Sequence, residues 1–269
     1  MQIKLRFLGA AQNVTGSRHM LEVNGTRLLI DCGLYQERQF KGRNWEPFDF
    51  PASSIDAVLL THAHLDHCGL LPKLVKEGFT GPVYCTAATA EIARIIMLDS
   101  ARLQEEDAEF KRKRHEREGR KGPHPVVPLY TTADAEATGP LFRKVRYRTP
   151  VQIADGITAT FCEAGHVFGS AIIHVCIEKN GESRSVLFSG DVGRPDRPIV
   201  RDPAEVDEAD YILVESTYGD RVHRQHGDIK AEIAEVINAT KAAGGNIIVP
   251  SFALERSQDM LYYINELLA

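Results

Sequence analysis

The chain has 269 residues, 43% of them hydrophobic and 26% charged, an ordinary composition for a soluble globular protein with room for one large domain or two modest ones. Its formal net charge of −5 argues against a surface coated in positive charge, as a nonspecific nucleic-acid binder would carry, while leaving a local basic groove open. Five cysteines, Cys32, Cys68, Cys85, Cys162 and Cys176, are odd in number, widely spread and without paired metal-type spacing, which predicts free thiols in a reducing cytoplasm and no structural disulfide.

Met1 to Gly9 has charges inside its apolar pattern and no cleavage-site run, so it reads as a strand and not as a signal peptide, and no apolar stretch approaches a membrane span. Runs at 3–8, 19–23 and 27–30 predict a β-meander, with Asn24-Gly25 as a hairpin turn. The third run ends in Asp31-Cys32-Gly33, a carboxylate at a strand terminus that a turn would explain equally well. His19, Cys32 and Cys68 read as structural, since half-buried residues at strand ends are common.

The run Ile55 to Leu60 predicts a buried strand, and it delivers Thr61-His62-Ala63-His64-Leu65-Asp66-His67 into the helix-like stretch at 69–75. His62 and His64 are two apart, so on extended backbone their imidazoles leave the same side of the chain and can converge on one ion. Asp66 and His67 sit in the turn entering the helix, aimed at a neighbouring position that a second ion could fill. The motif is read as a metal site.

Gly78 closes that helix, Pro82 to Cys85 is a short strand, and Thr86 or Thr89 caps a long helix through Ile92, Ile95, Ile96 and Leu103. Its continuation to Lys121 is almost wholly charged; Lys111 to Arg114 is flanked by acidic residues and reads as a solvated, salt-laced surface. Gly122-Pro123-His124-Pro125 ends it. A short helix at 133–137, a strand at 144–147 and a hairpin about Asp155-Gly156 follow. Ala164 to Ser170 is a glycine-flanked loop carrying His166, which taken alone favours a structural role. His174, mid-strand in 171–177, reads as packed or surface. Asn180-Gly181 turns a hairpin into the strand 185–191, which ends in Asp191. A strand at 211–214 runs into Glu215-Ser216-Thr217-Tyr218-Gly219; then come a helix at 228–243, a strand at 246–250, and an amphipathic helix opening at 251–258.

The run His62-x-His64-x-Asp66-His67 resembles the signature of the metallo-β-lactamase superfamily, a set of αββα metal-dependent hydrolases. Glu215 to Gly219, with Gly193 to Pro198 before it, resembles the β-CASP branch, which includes the pre-mRNA 3′-end-processing endonuclease and ribonuclease J. The resemblance implies an α/β metallo-β-lactamase sandwich over residues 1–216, incomplete at its C-terminal end, and the N-terminal part of an inserted β-CASP domain over 217–269. It implies two zinc ions: His62, His64 and His166 on one, Asp66 and His67 on the other, Asp191 bridging, and Asp31 orienting a ligand histidine. Asp66 and Glu215 are the implied catalytic residues, Glu215 beside a proton-donating histidine. Relatives often have glycine where Glu255 stands, and Arg256 at a helix start could touch phosphate or form an ion pair. Arg194, Arg197, Arg221 and Arg224 could position a strand or be plain surface charge.

The family's two later histidines have no counterpart before Ala269, so the expectation is a truncated chain whose first metal site is nearly complete and whose second is weakened. The implied activity is hydrolysis of phosphodiester bonds in single-stranded RNA by a cytoplasmic protein without membrane contact, with a homodimer left open. A thioesterase or lactonase of the same superfamily, or a noncatalytic RNA-binding subunit, are the alternatives; Asp191 in place of a cysteine speaks against antibiotic hydrolysis.

Overall fold

The structure, a computed structural model, describes residues 1–119, 126–222 and 227–268. Strands β1 (Ile3–Gly9), β2 (Arg18–Val23) and β3 (Thr26–Ile30) form the expected meander, and β4 (Ala57–Leu59) follows. Two short helices, α1 (Leu65–Cys68) and α2 (Leu71–Lys76), lead to β5 (Val83–Thr86), the long α3 (Ala87–Glu118), α4 (Thr132–Thr138) and β6 (Phe142–Val145). The second half supplies β7 (Val151–Ala154), β8 (Ile157–Glu163), β9 (Ala171–Lys179), β10 (Glu182–Phe188), β11 (Tyr211–Leu213), α5 (Ile229–Ala242) and α6 (Arg256–Leu268).

Strands β1 to β6 make one sheet in sequence order, antiparallel at first and parallel from β3 onward; the second sheet runs β11-β10-β9-β8-β7. Because side chains alternate along a strand, each inner strand serves two cores. Leu21, Val23, Leu28 and Ile30 meet Ile157, Phe161, Ile173 and Val175 of the second sheet. Met20 and Leu29, pointing the other way, pack on Leu71, Leu74, Ala93 and Met97 of the helices. The layers are therefore helices, sheet and sheet.

Local signals decide the connections. Asn24 and Asn180 take left-handed φ values of 51° and 54°, as two-residue hairpin turns require. Thr86 caps α3 by accepting from the Thr89 N–H at 3.2 Å. The charged half of α3 is laced by pairs four residues apart, Lys111 with Asp107, Lys113 with Glu109 and Arg114 with Glu118. It stops at Glu118, not Lys121, because Gly119 enters the left-handed region at φ 62°; Gly122 to Pro125 lie outside the described residues. The expected strand at 246–250 does not form. Ile248 is 88% exposed there, and a β-prone run without a partner strand leaves its backbone groups to water. No helix among the described residues is long and apolar enough to cross a membrane.

Candidate metal centre

Asp31 follows β3, Thr61 to His67 follow β4, His166 follows β8, Asp191 follows β10 and Glu215 follows β11. The candidate residues thus come from segments that leave strand ends, Asp66 and His67 from the short helix α1 and the others from loops, where a rigid scaffold can aim side chains that a loop alone could not hold.

His62, wholly buried, and His64 do leave the same side of the chain: His62 Nε2 lies 3.0 Å from His64 Nδ1. His166 Nε2 lies 3.1 Å from that same His64 nitrogen, bridging 102 positions of sequence. Asp191 Oδ2 is 3.9 Å from His62 Nε2 and 3.6 Å from His166 Nε2. One donor atom from each of these four residues falls within 4.8 Å of the other three, the donor set of a four-coordinate cation site. Beside it, His67 Nε2 is 3.2 Å from Asp191 Oδ1 and 3.9 Å from Asp66 Oδ2. Asp191 therefore faces the three-histidine group through one oxygen and the His67 group through the other.

The electrostatics fit a cation at both places. Burial drives the His62 pKa down, and the crowding of His67, His64 and His166 drives it further, to well below the ordinary histidine value. Burial, then His166 and His67, hold His64 at about 4. Both rings are therefore neutral, with lone pairs free to bind metal. At His67 burial also lowers the pKa, but the carboxylates of Asp31 and Asp191 outweigh it and raise the value well above normal; positive charge is favoured there. Burial raises Asp191, yet His67, His166 and His64 together bring it to about 2. Asp66 is pushed up, by burial first and by Asp191 as well, against the lowering effect of His67.

Asp31 is buried and takes a left-handed φ of 60°. Its carboxylate accepts from the Thr61 N–H at 2.8 Å, the Thr61 hydroxyl at 2.9 Å and the Ser17 hydroxyl at 3.1 Å, and lies 2.7 Å from His67 Nδ1. That last contact fixes the His67 ring with Nε2 turned toward Asp191 and Asp66. Gly33 permits the arrangement: a Cβ there would sit 1.6 Å from the Asp66 carbonyl oxygen. The His166 loop is pinned separately. The hydroxyls of Thr86 and Thr89 donate to the Gly169 carbonyl at 2.8 and 2.7 Å, and the Tyr147 hydroxyl donates to the Ser170 carbonyl at 2.8 Å.

Against the His67 side opens a cavity of about 640 Å³, lined by His67, Asp191, Glu215 to Thr217 and the loop Ala10 to Val14. Glu215 is half-buried, its Oε1 accepting from the Val192 N–H at 3.0 Å. His19, read from sequence as structural, also lines this cavity, with Nδ1 unpartnered and its ring edge-on to Phe7 at 5.5 Å. The structure does not bring Arg256 to the centre; it is exposed at the start of α6 and does not line this cavity. Arg197 is committed elsewhere, in ion pairs with Glu255 and Asp259 that hold α6, and Arg221 pairs with its neighbour Asp220 at 2.9 Å; Arg224 lies outside the described residues. Sequence reasoning missed the roles of Thr61, Ser17, Thr86, Thr89 and Tyr147 at this site; Thr61 carried a signal by standing next to the motif, and Thr86 and Thr89 were read only as helix caps.

Comparison with known proteins gives a match of residues 20–191 to the metallo-β-lactamase superfamily domain. The chain is 37% identical over 256 residues to ribonuclease TTHA0252 of Thermus thermophilus, covering 95% of this chain and 53% of that protein. It is 33% identical over 272 residues to transcription termination factor FttA of Methanocaldococcus jannaschii, covering 98% of this chain and 39% of that one. With cleavage and polyadenylation specificity factor 73 of Drosophila melanogaster it shares 29% identity over 270 residues, 98% of this chain and 36% of the relative. The chain spans about half the length of the first of these relatives and less of the others.

Proposed function

Since the chain belongs to the metallo-β-lactamase superfamily, and the proteins it resembles include a ribonuclease, a transcription termination factor and a cleavage and polyadenylation specificity factor, we propose that it is a β-CASP-type nuclease that hydrolyses phosphodiester bonds in single-stranded RNA with two zinc ions. The observation that carries this reading is Asp191, which turns one oxygen to the nitrogens of His62 and His166 and the other to His67, at the wall of a cavity that also holds Glu215. His62, His64, His166 and Asp191 would hold one ion; Asp66, His67 and Asp191 the other. Zinc suits a histidine and carboxylate donor set, and when bound it lowers the pKa of water toward neutrality and offsets charge on phosphoryl oxygens.

The chain's own residues do the rest. Asp66, beside His67 Nε2, orients the attacking water and accepts its proton at a carboxylate oxygen. Asp31 keeps His67 from rotating by holding its Nδ1. Glu215, steadied by the Val192 N–H, sits where it can position a proton donor for the leaving oxygen. We assign residues 1–216 to the metallo-β-lactamase core and 217–269 to the beginning of a β-CASP domain. The five free cysteines, three of them buried, support a cytoplasmic location, and a homodimer is compatible with this reading.

The test is cleavage of end-labelled single-stranded RNA with added zinc, beside an Asp191→Ala control. Metal-dependent cutting absent from the control is the expected result; thioester hydrolysis with intact RNA would overturn the substrate assignment.

A further inference from the structure

On the helix side of the first sheet, away from the cavity that Glu215 lines, lies a second cleft of about 350 Å³ with Arg18, Arg43 and Lys73 in its wall and Phe48 among them. This is near the small end of the roughly 300–1,000 Å³ typical of ligand pockets. Its charge is layered. Arg18 and Lys73 are buried, 8% and 7% exposed, whereas the two carboxylates that reach the cleft, Glu46 and Asp49, are exposed at its rim.

The buried guanidinium is poorly satisfied. Arg18 donates from Nη2 to the Leu8 carbonyl at 3.1 Å, and its Nε is buried with no partner. Among the described residues no carboxylate lies within ion-pairing distance of Arg18 or Arg43. Arg18 and Lys73 instead stand over the Phe48 ring, at 5.0 and 4.9 Å from its centre, and Arg43 over Phe40 at 4.7 Å. Lys73 donates to the carbonyls of Asn44 and Glu46 and has Glu77 at 3.7 Å. Burial lowers the Lys73 pKa, Glu77 counters it, and the charge of Arg18 lowers it again. Two like charges are thus held together in a buried wall, with Glu77 pairing Lys73 and no carboxylate among the described residues pairing Arg18. Such an arrangement is costly unless an anion completes it.

We propose that this cleft binds a phosphate group, with Arg18 and Arg43 as its donors and Lys73 as a point charge behind them. Guanidinium forks match the oxygens of a phosphate, and the Phe48 face gives the site an apolar wall. A free phosphorylated small molecule and a phosphate of a nucleic-acid strand offer the same chemistry.

The experiment is isothermal titration of the metal-loaded chain with inorganic phosphate, with AMP and with a short single-stranded RNA, repeated for Arg43→Gln and Arg18→Met. Arg43 is exposed, so Arg43→Gln leaves the fold intact; Arg18→Met keeps an unbranched stem over Phe48, and Arg43→Gln carries the test alone should Arg18→Met unfold. The expected result is saturable binding weakened about tenfold or more in the folded variants. Binding that Arg43→Gln weakens belongs to this cleft and not to the metal centre; where that binding is of phosphate or AMP it identifies a free ligand, and where it is of RNA alone it identifies a strand. A titration unchanged by Arg43→Gln, or no saturable binding of any of the three probes, would overturn the site.

Discussion

The two sides of the metal centre are built differently. On the three-histidine side, His62 and His64 offer neutral nitrogens, and the loop that brings His166 is tied down by neutral hydroxyls, those of Thr86, Thr89 and Tyr147. On the other side His67 stands among Asp31, Asp66 and Asp191, and the wall is the loop Ala10 to Val14, anchored by Glu37, whose carboxylate accepts from the Val14 N–H at 2.8 Å, the Thr15 N–H at 3.2 Å and the Thr15 hydroxyl. One side is held together by shape and neutral hydrogen bonds, the other by charge. The first has four donor residues within reach of a common point, the second three, so they should differ in affinity and in their response to pH.

Asp191→Ala removes the residue common to both and should have the largest effect: RNA cleavage should fall on the order of 10³-fold, with bound zinc reduced at both places in atomic-absorption measurements. Removing metal by dialysis against a chelator should lower the melting temperature of the wild-type chain. A stabilisation of about 2.7 kcal/mol is expected at free metal a hundredfold above Kd, and zinc added back should titrate in two steps, the three-histidine side first. Asp31→Asn separates the sides. It weakens the hold on His67 while leaving His62, His64 and His166 in place, so the second step alone should shift by roughly 10–100-fold.

The loops give the smallest and most selective effects. Thr89→Val deletes one of two hydroxyls on the Gly169 carbonyl and should cost about 1 kcal/mol in urea unfolding, independent of pH. Glu37→Gln should cost about 1.5 kcal/mol at neutral pH, with a different pH profile. Burial would raise the Glu37 pKa, but hydrogen bonds from Thr15 and Val14 hold it at about 2, against 4.5 for a free glutamate. Its contribution is therefore complete above pH 4.5 and is lost as pH falls toward 2. The difference between wild type and Glu37→Gln should shrink over that window, and a constant difference would contradict the anchoring role.

Much of this centre was legible before any coordinates. The i, i+2 spacing of His62 and His64 behind a buried strand, and the adjacent Asp66 and His67, state their geometry locally, because an extended backbone sends alternate side chains to one side. The hairpins at Asn24-Gly25 and Asn180-Gly181, and a helix cap at Thr86 or Thr89, were legible for the same reason. His166, Asp191 and Asp31 needed the family resemblance, since each is an ordinary residue after a strand and nothing nearby in sequence says which strands will be neighbours.

The strand expected at 246–250 shows the converse. Its residues are β-prone, yet no other strand among the described residues pairs with it, and propensity without a partner does not make a sheet. Arg197 read equally as a residue positioning a strand or as plain surface charge, and is instead paired with Glu255 and Asp259 nearly sixty positions or more away. The sequence by itself determined the local conformations and the chemical types: turns, caps, alternating faces, and a histidine-rich segment able to bind metal. Only the tertiary structure decided which strand ends share an edge, that Asp191 faces two groups at once, and that Arg18 and Lys73 lie over one phenylalanine. Those are distances between segments far apart in the chain, set by sheet order and core packing and not by any local rule.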